Sequence, residues 1–78
     1  MPSNAPIPGL IAEIEKNAVE VIRVSWSEYK GHHFLDVRVY YEDGETGEWK
    51  PTKKGIAIAP DLLPELIAAL QTAEGTKA

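Results

Sequence analysis

Between Val19 and Tyr41 the chain alternates apolar and polar residues with a period of two, twice over, broken only by Lys30-Gly31-His32. In the first run Ile22, Val24 and Trp26 fall on one side, and Arg23, Ser25, Ser27 and Tyr29 on the other. In the second, from His33 to Tyr41, Leu35, Val37 and Val39 oppose Phe34, Asp36, Arg38 and Tyr40. Successive side chains of a strand point to opposite faces, so this pattern predicts two half-buried strands joined by a tight connection.

The flanking segments extend that sheet. Leu10 to Ile14 is a short apolar-rich run ahead of the turn signal Lys16-Asn17, and a strand is expected there, although Leu10, Ile11 and Ile14 also suit a helical turn. A long acidic loop, Glu42 to Glu48 with Gly44 and Gly47, leads into a fourth strand over Trp49 to Ile58. Pro51 has no N–H and belongs at an edge or an irregularity. Gly55 points to a bulge or a close backbone approach. The last element is a helix starting at Pro60-Asp61, with Asp61 as its capping acid, Pro64 tolerated in the first turn and Gly75 as its stop. The expected order is β-β-β-β-α, an α+β fold with one antiparallel sheet. Residues 1–9 read as a disordered lead-in, 10–73 as the domain and 74–78 as a flexible tail.

Seventy-eight residues make a single small domain. Such a chain buries only about 60% of the surface its unfolded form exposes, and small folds usually compensate with disulfides, a metal or a partner subunit. There is no cysteine, and the two histidines, His32 and His33, are adjacent. On a strand they point to opposite faces, which favours a hairpin tip over a metal site. No cofactor is implied, and a partner subunit is the remaining option. Leu62, Leu63, Leu66, Ile67 and Leu70 form one broad apolar stripe at helical spacing. It either covers the chain's own sheet or packs on the same helix of a second copy; as a dimer interface it gives a self-complementary twofold contact. No stretch approaches the roughly 18 apolar residues of a membrane span, and Met1 to Gly9 lacks the features of a secretory signal. A cytoplasmic protein is expected, nucleoid-associated if bacterial.

A net charge of −4 argues at first against nucleic acid. Distribution matters more than the sum. Five of the eight basic residues, Lys30, Arg38, Lys50, Lys53 and Lys54, lie between positions 30 and 54. Catalytic patterns are absent: no GxSxG, P-loop, HExxH or CxxC occurs. Asp36 and Arg38 share a strand face as a surface ion pair, and Glu42, Asp43, Glu45 and Glu48 sit in a mobile loop poorly suited to acid–base work. An enzyme is not expected. Phe34, Arg38, Tyr40 and Tyr29, in contrast, interleave rings and cations on one polar sheet face. Unpaired bases stack on rings while cations track phosphates, so the pattern suits a single strand; ordinary cross-strand aromatic pairs are the alternative.

Four stretches together resemble the C-terminal single-stranded-DNA-binding domain of the transcriptional coactivator family called positive cofactor four. They are Ile22-Arg-Val-Ser-Trp-Ser-Glu-Tyr-Lys-Gly31, Phe34-Leu-Asp-Val-Arg-Val-Tyr-Tyr41, Lys50-Pro-Thr-Lys-Lys-Gly-Ile-Ala-Ile58 and the helix opened by Pro60. The resemblance covers roughly residues 11 to 72. It implies a curved four-stranded antiparallel sheet and one helix, dimerised through helices and sheet edges, with two antiparallel channels for opposed single strands. Carried across position by position, it implies that Tyr29, Lys30, Arg38, Tyr41, Lys50, Lys53 and Lys54 hold the nucleic acid. Tyr41 stands where eukaryotic members have tryptophan, and it falls on the apolar parity of its strand, so either the strand bulges there or Tyr41 does not stack. His32 and Glu20 stand where basic residues are expected, and the acidic loop is one residue longer. The family's serine- and lysine-rich regulatory region is absent, as in a stand-alone core of bacterial or phage type.

The resulting expectation is a homodimer that binds single-stranded DNA with little sequence preference, in transcription, replication or repair. RNA binding and a protein-interaction module are the competing readings.

Overall fold

The computed structural model describes residues 9–77. Its centre is the hairpin read from the alternation. Strand β2 (Glu20–Tyr29) pairs antiparallel with β3 (His32–Glu42) without interruption from Glu20↔Tyr41 to Tyr29↔His32. Lys30 and Gly31 form the two-residue turn, with φ of 53° and 80°. Positive φ at both central residues is what a right-twisted hairpin requires of so short a loop. The connection is therefore Lys30-Gly31 alone, and His32 already belongs to the strand.

On one side β1 (Leu10–Asn17) pairs with β2, and on the other β4 (Trp49–Ile58) pairs with β3, giving the strand order β1-β2-β3-β4 with every neighbour antiparallel. Leu10, Ile11 and Ile14 thus lie on a strand, not a helical turn, and two register shifts in β1 blur its alternation. The Gly9 carbonyl accepts the Trp26 N–H at 2.8 Å, so Gly9 is attached to the sheet. The rest of the expected lead-in, residues 1–8, lies outside the described residues.

Strand β4 is an edge, which accommodates Pro51. A register shift against β3 falls between Arg38 and Tyr40. Thr52 serves this irregularity: its hydroxyl donates to the Val39 carbonyl at 2.7 Å and accepts the Lys54 N–H at 3.1 Å. Gly55 lies opposite Arg38, where an added methyl would stand 2.7 Å from the Val37 carbonyl oxygen and 2.9 Å from Arg38 Cα. Only glycine permits that approach.

Register assigns the two faces. Ile14, Ile22, Val24, Trp26, Val37, Ile56 and the buried Leu35 and Ile58 share one face. Arg23, Ser25, Phe34, Asp36, Arg38 and Tyr40 share the other.

The C-terminal segment departs from expectation at both ends. Pro60–Leu62 is a 3-10 turn, and helix α1 spans Leu63–Thr76. Asp61 lies in the 3-10 turn and caps nothing; the helix N-cap is Leu62, with no side-chain cap bond. Pro64 sits within the first turn, where a missing N–H is not needed. The helix runs through Gly75, so residues 74–76, expected as tail, are helical. Glycine in a helix costs roughly 1 kcal/mol relative to alanine, which a formed helix absorbs. No residue of the turn or the helix is buried: Leu62, Ile67 and Leu70 are 53%, 46% and 59% exposed. The main contact between this segment and the sheet is the 3-10 turn against β3. Of the two fates open to the stripe, covering its own sheet is not the one adopted within the chain. Among the described residues, no helix is long and apolar enough to cross a membrane.

Candidate nucleic-acid interface

The polar face is more firmly tied down than alternation suggests. Arg38 donates through Nε and Nη2 to both oxygens of Asp36, at 3.1 and 3.0 Å, and through Nη1 to the Thr52 carbonyl at 2.9 Å. Asp36 is only 9% exposed, so this is a part-buried pair and not the surface contact expected. The Asp36 hydrogen bonds raise the Arg38 pKa further and keep the guanidinium charged. Beside it, Arg23 donates to Glu13 at 2.7 Å and places its guanidinium 4.6 Å from the Tyr40 ring centroid. Arg23 was not among the expected site residues. It shares the face of Arg38 and lies directly opposite it in register, so the parity of its strand was the available signal. The two arginines lie side by side because each carries its own carboxylate.

The seven expected site residues do not share one face. Tyr29 and Lys30 stand at the β2–β3 hairpin, Tyr29 on the Arg38 parity and opposite His32. Tyr29 is 67% exposed, and Lys30 Nζ lies 5.4 Å from its ring centroid. Along β3, Tyr41 is about 30 Å from this hairpin, at about 3.3 Å per residue. The register of β3 against β2 is unbroken at Tyr41, so the strand itself does not bulge there. Tyr41 keeps the apolar parity, on the face away from Arg38.

What surrounds Tyr41 is not apolar, however. It pairs directly with Glu20 on one side and Lys50 on the other, so Glu20, Tyr41 and Lys50 form a row across three strands. The register shift in β4 supplies this alignment by bringing Lys50 level with Tyr41. Tyr41 is 39% exposed. Lys54 lies near enough to Glu20 to help lower its pKa. Lys50 Nζ is held by Asp43 at 2.8 Å, and Glu20 Oε1 accepts from Lys16 at 3.0 Å and Asn17 at 2.7 Å.

Asp43 also organises the loop. Its Oδ1 accepts the N–H groups of Glu45 and Thr46 at 2.7 and 3.3 Å, its carbonyl accepts the Gly47 N–H, and its own N–H reaches the Glu48 carbonyl. Gly47 closes the turn at φ 75°. The loop is thus internally bonded at Asp43. The Lys50 ammonium, followed by these N–H donors, lowers the Asp43 pKa, and Asp43 in turn raises that of Lys50.

Among the described residues Lys30, Lys53 and Lys54 make no ion pair. Within those residues no group of three His, Cys, Asp or Glu side chains stands close enough to hold a metal. His33 approaches Glu28 at 4.0 Å on the face opposite Tyr29 and His32. Chemically, the arrangement offers exposed rings with adjacent ammonium groups at both ends of β3.

Comparison with known proteins agrees with this organisation. The family model for Transcriptional Coactivator p15 (PC4) matches residues 16–69. The RNA polymerase II transcriptional coactivator SUB1 of Saccharomyces cerevisiae is 39% identical over 67 residues, covering 86% of this chain. The chain spans only 22% of that relative's length. A crystal structure of a PC4 homolog from Burkholderia pseudomallei K96243 superposes with a TM-score of 0.81 at 36% identity, covering 96% of this chain and all of the other. The bacteriophage T5 homolog of PC4, implicated in recombination-dependent DNA replication, gives a TM-score of 0.69 at 25% identity, covering 87% and 78% of the two chains. Matched over most of its length in sequence and over nearly all of it in fold, the chain belongs to the PC4 family of transcriptional coactivators.

Proposed function

We propose that this chain binds single-stranded DNA as a homodimer, with little sequence preference, and that it does so without enzymatic activity. The observation that carries the reading is the pairing of an exposed ring with a cation at each end of β3: Tyr29 with Lys30, and Tyr41 with Lys50. Rings accept bases only where those bases are unpaired, and ammonium groups follow the phosphates between them. Family membership supports the same ligand, since the relatives are named for transcription and for DNA replication. The process served is one of transcription, replication or repair.

The dimer is inferred from the helix. Leu62, Ile67 and Leu70 are exposed and Leu63 and Leu66 only half-buried, and among the described residues only Val21, Leu35 and Ile58 form a buried apolar core. A twofold contact through α1 buries the stripe and supplies the missing core. Of the seven site residues, Arg38 is assigned the most limited direct role. Its three hydrogen bonds to Asp36 and Thr52 already occupy most of its donors, so its loss acts through the sheet.

Competition measures this reading. A labelled single-stranded oligonucleotide bound at near-physiological salt is challenged with unlabelled single strand, duplex and RNA. Single-stranded DNA is expected to displace the label at far lower concentration than duplex. Equal competition by duplex reduces the site to a generic cationic patch, and stronger competition by RNA assigns the ligand to RNA.

A further inference from the structure

The row that contains Tyr41 has an unusual feature for a phosphate-binding surface: its lysine, Lys50, and the nearby Lys16 are both already occupied by carboxylates. Lys50 Nζ lies 2.8 Å from Asp43 Oδ2, and Lys16 Nζ lies 3.0 Å from Glu20 Oε1. Glu20 is level with Tyr41, and Tyr41 is level with Lys50. The ring is therefore flanked by Glu20 on one side and by Lys50, with Asp43 on its ammonium, on the other, so a phosphate at this row must approach a carboxylate on either side. Asp43 is fixed for this position by its loop, because four hydrogen bonds between its carboxylate or main chain and the loop backbone hold the turn. Glu20 is fixed likewise, by Asn17 as well as Lys16.

We propose that Asp43 and Glu20 set the affinity of the nucleic-acid site, as internal anions that hold Lys50 and Lys16 until a phosphate displaces them. The proposal rests on the single-strand-binding reading above. When a phosphate reaches Lys50, one charge-assisted contact is exchanged for another, and the released carboxylate remains nearby as a like charge. Lys50 thus contributes less to binding than its unpaired neighbours Lys53 and Lys54. An acidic protein would gain from such an arrangement in selectivity, because a brief or isolated anion does not repay the exchange, whereas a strand bound at several points does.

Asp43→Asn and Glu20→Gln each remove one charge and keep an acceptor oxygen, so the loop bonds to Glu45 and Thr46 retain their partner. Glu45→Gln is the matched control: it makes the same change in net charge, one turn away in the same loop, where no ion pair is made. Binding of a single-stranded oligonucleotide is measured by anisotropy over a salt series. Asp43→Asn and Glu20→Gln are each expected to bind about three- to fivefold more tightly at low salt, the scale of an exposed ion pair. The gain is expected to shrink as salt rises, with the slope of log affinity against log salt steeper by up to about 0.7. Glu45→Gln is expected to change affinity by much less. Should Asp43→Asn fail to fold, as judged by circular dichroism, Glu20→Gln decides, since it lies outside the loop. If both variants bind no more tightly than the parent, or Glu45→Gln matches them, the carboxylates are orienting groups or mere charge and the proposal is overturned. A parent chain that binds no single strand at all overturns the functional reading itself, a separate result.

Discussion

The two ends of β3 carry the same chemical parts and hold them in opposite ways. At the hairpin end, Lys30 stands in the left-handed region at φ 53° beside an exposed Tyr29, and no carboxylate among the described residues pairs with it. At the other end, Tyr41 lies beside Lys50, which Asp43 clamps, and Glu20, which Lys16 and Asn17 clamp. One lysine stands in a two-residue turn without an ion pair among the described residues, and the other is held by a carboxylate. The same ring-and-ammonium motif can thus be exposed by a short turn or moderated by a long loop. The loop length between strands decides which: two residues leave no room for an acid, and six supply one.

The largest expected effect removes the dimer on which both ends are proposed to depend. Leu66→Asp places an unpaired charge in the proposed helix contact and is expected to cost about 3–5 kcal/mol. Light scattering coupled to size exclusion should give a dimer for the parent and a monomer or unfolded chain for the variant. An unchanged mass and melting temperature would leave the stripe exposed for some other purpose and the comparison confined to one subunit.

Next in size are the rings. Tyr29→Ala and Tyr41→Ala are each expected to weaken single-strand binding by about 1–3 kcal/mol, the range for loss of one base–ring stack. Calorimetric titration of the two variants compares the ends directly. If only Tyr29→Ala weakens binding, the far end is not part of the site, and the apolar parity of Tyr41 signifies a covered residue.

Lys30→Gly sharpens the hairpin end by separating stability from binding. A non-glycine residue in the left-handed region costs roughly 1–2 kcal/mol, so glycine there should raise the unfolding free energy by about 1 kcal/mol. Affinity for a single strand should fall at the same time, because the ammonium is gone. Chemical denaturation and binding measured on one sample give the two signs. A loss of both stability and affinity would mean that Lys30 is structurally required and that strain is not its cost.

The smallest effect is the pH dependence of the far end. Hydrogen bonds from Asn17 and Lys16 lower the Glu20 pKa below its ordinary 4.5, and Lys50 lowers that of Asp43 below 3.8. A carboxylate whose folded pKa is depressed contributes stability that is complete above its unfolded value and lost as pH falls through the folded one. Melting temperature should therefore be insensitive to these two groups from neutrality down to about pH 5. Below about pH 4 it should fall less steeply in the Asp43→Asn, Glu20→Gln double variant than in the parent.

Much of this architecture was legible in the sequence, and the exceptions have physical causes. The β2–β3 hairpin was legible because one face is apolar and a one-residue slip would invert every side chain. Strand β1 was ambiguous because its two register shifts break the alternation that distinguishes strand from helix. The helix ends were misjudged because local signals, Asp61 and Gly75, weigh about 1 kcal/mol each and the chain's longer-range geometry outweighs them. At the candidate site, residue types were legible and their partners were not. The Arg38 bond to the Thr52 carbonyl depends on the β4 irregularity, and the Asp43–Lys50 pair depends on a loop closed by Gly47. Neither is encoded in a spacing, so the division of the seven residues between two faces emerged only from the register.

The central claim is that lysines at both ends of β3 neutralise phosphates of bound single-stranded DNA while the rings stack its bases. The direct measurement is a salt titration of oligonucleotide affinity for the parent, for Lys30→Ala, for a Lys53→Ala, Lys54→Ala double variant and for Tyr41→Ala, each first shown to fold. For single strands the slope of log affinity against log salt is about −0.7 per phosphate contact. The account predicts a slope flatter by about 0.7 for Lys30→Ala and by up to about twice that for the double variant, with Tyr41→Ala weakening binding at nearly unchanged slope. Lysine variants with the parent's slope and affinity would contradict it, and would place the nucleic acid away from both ends of β3.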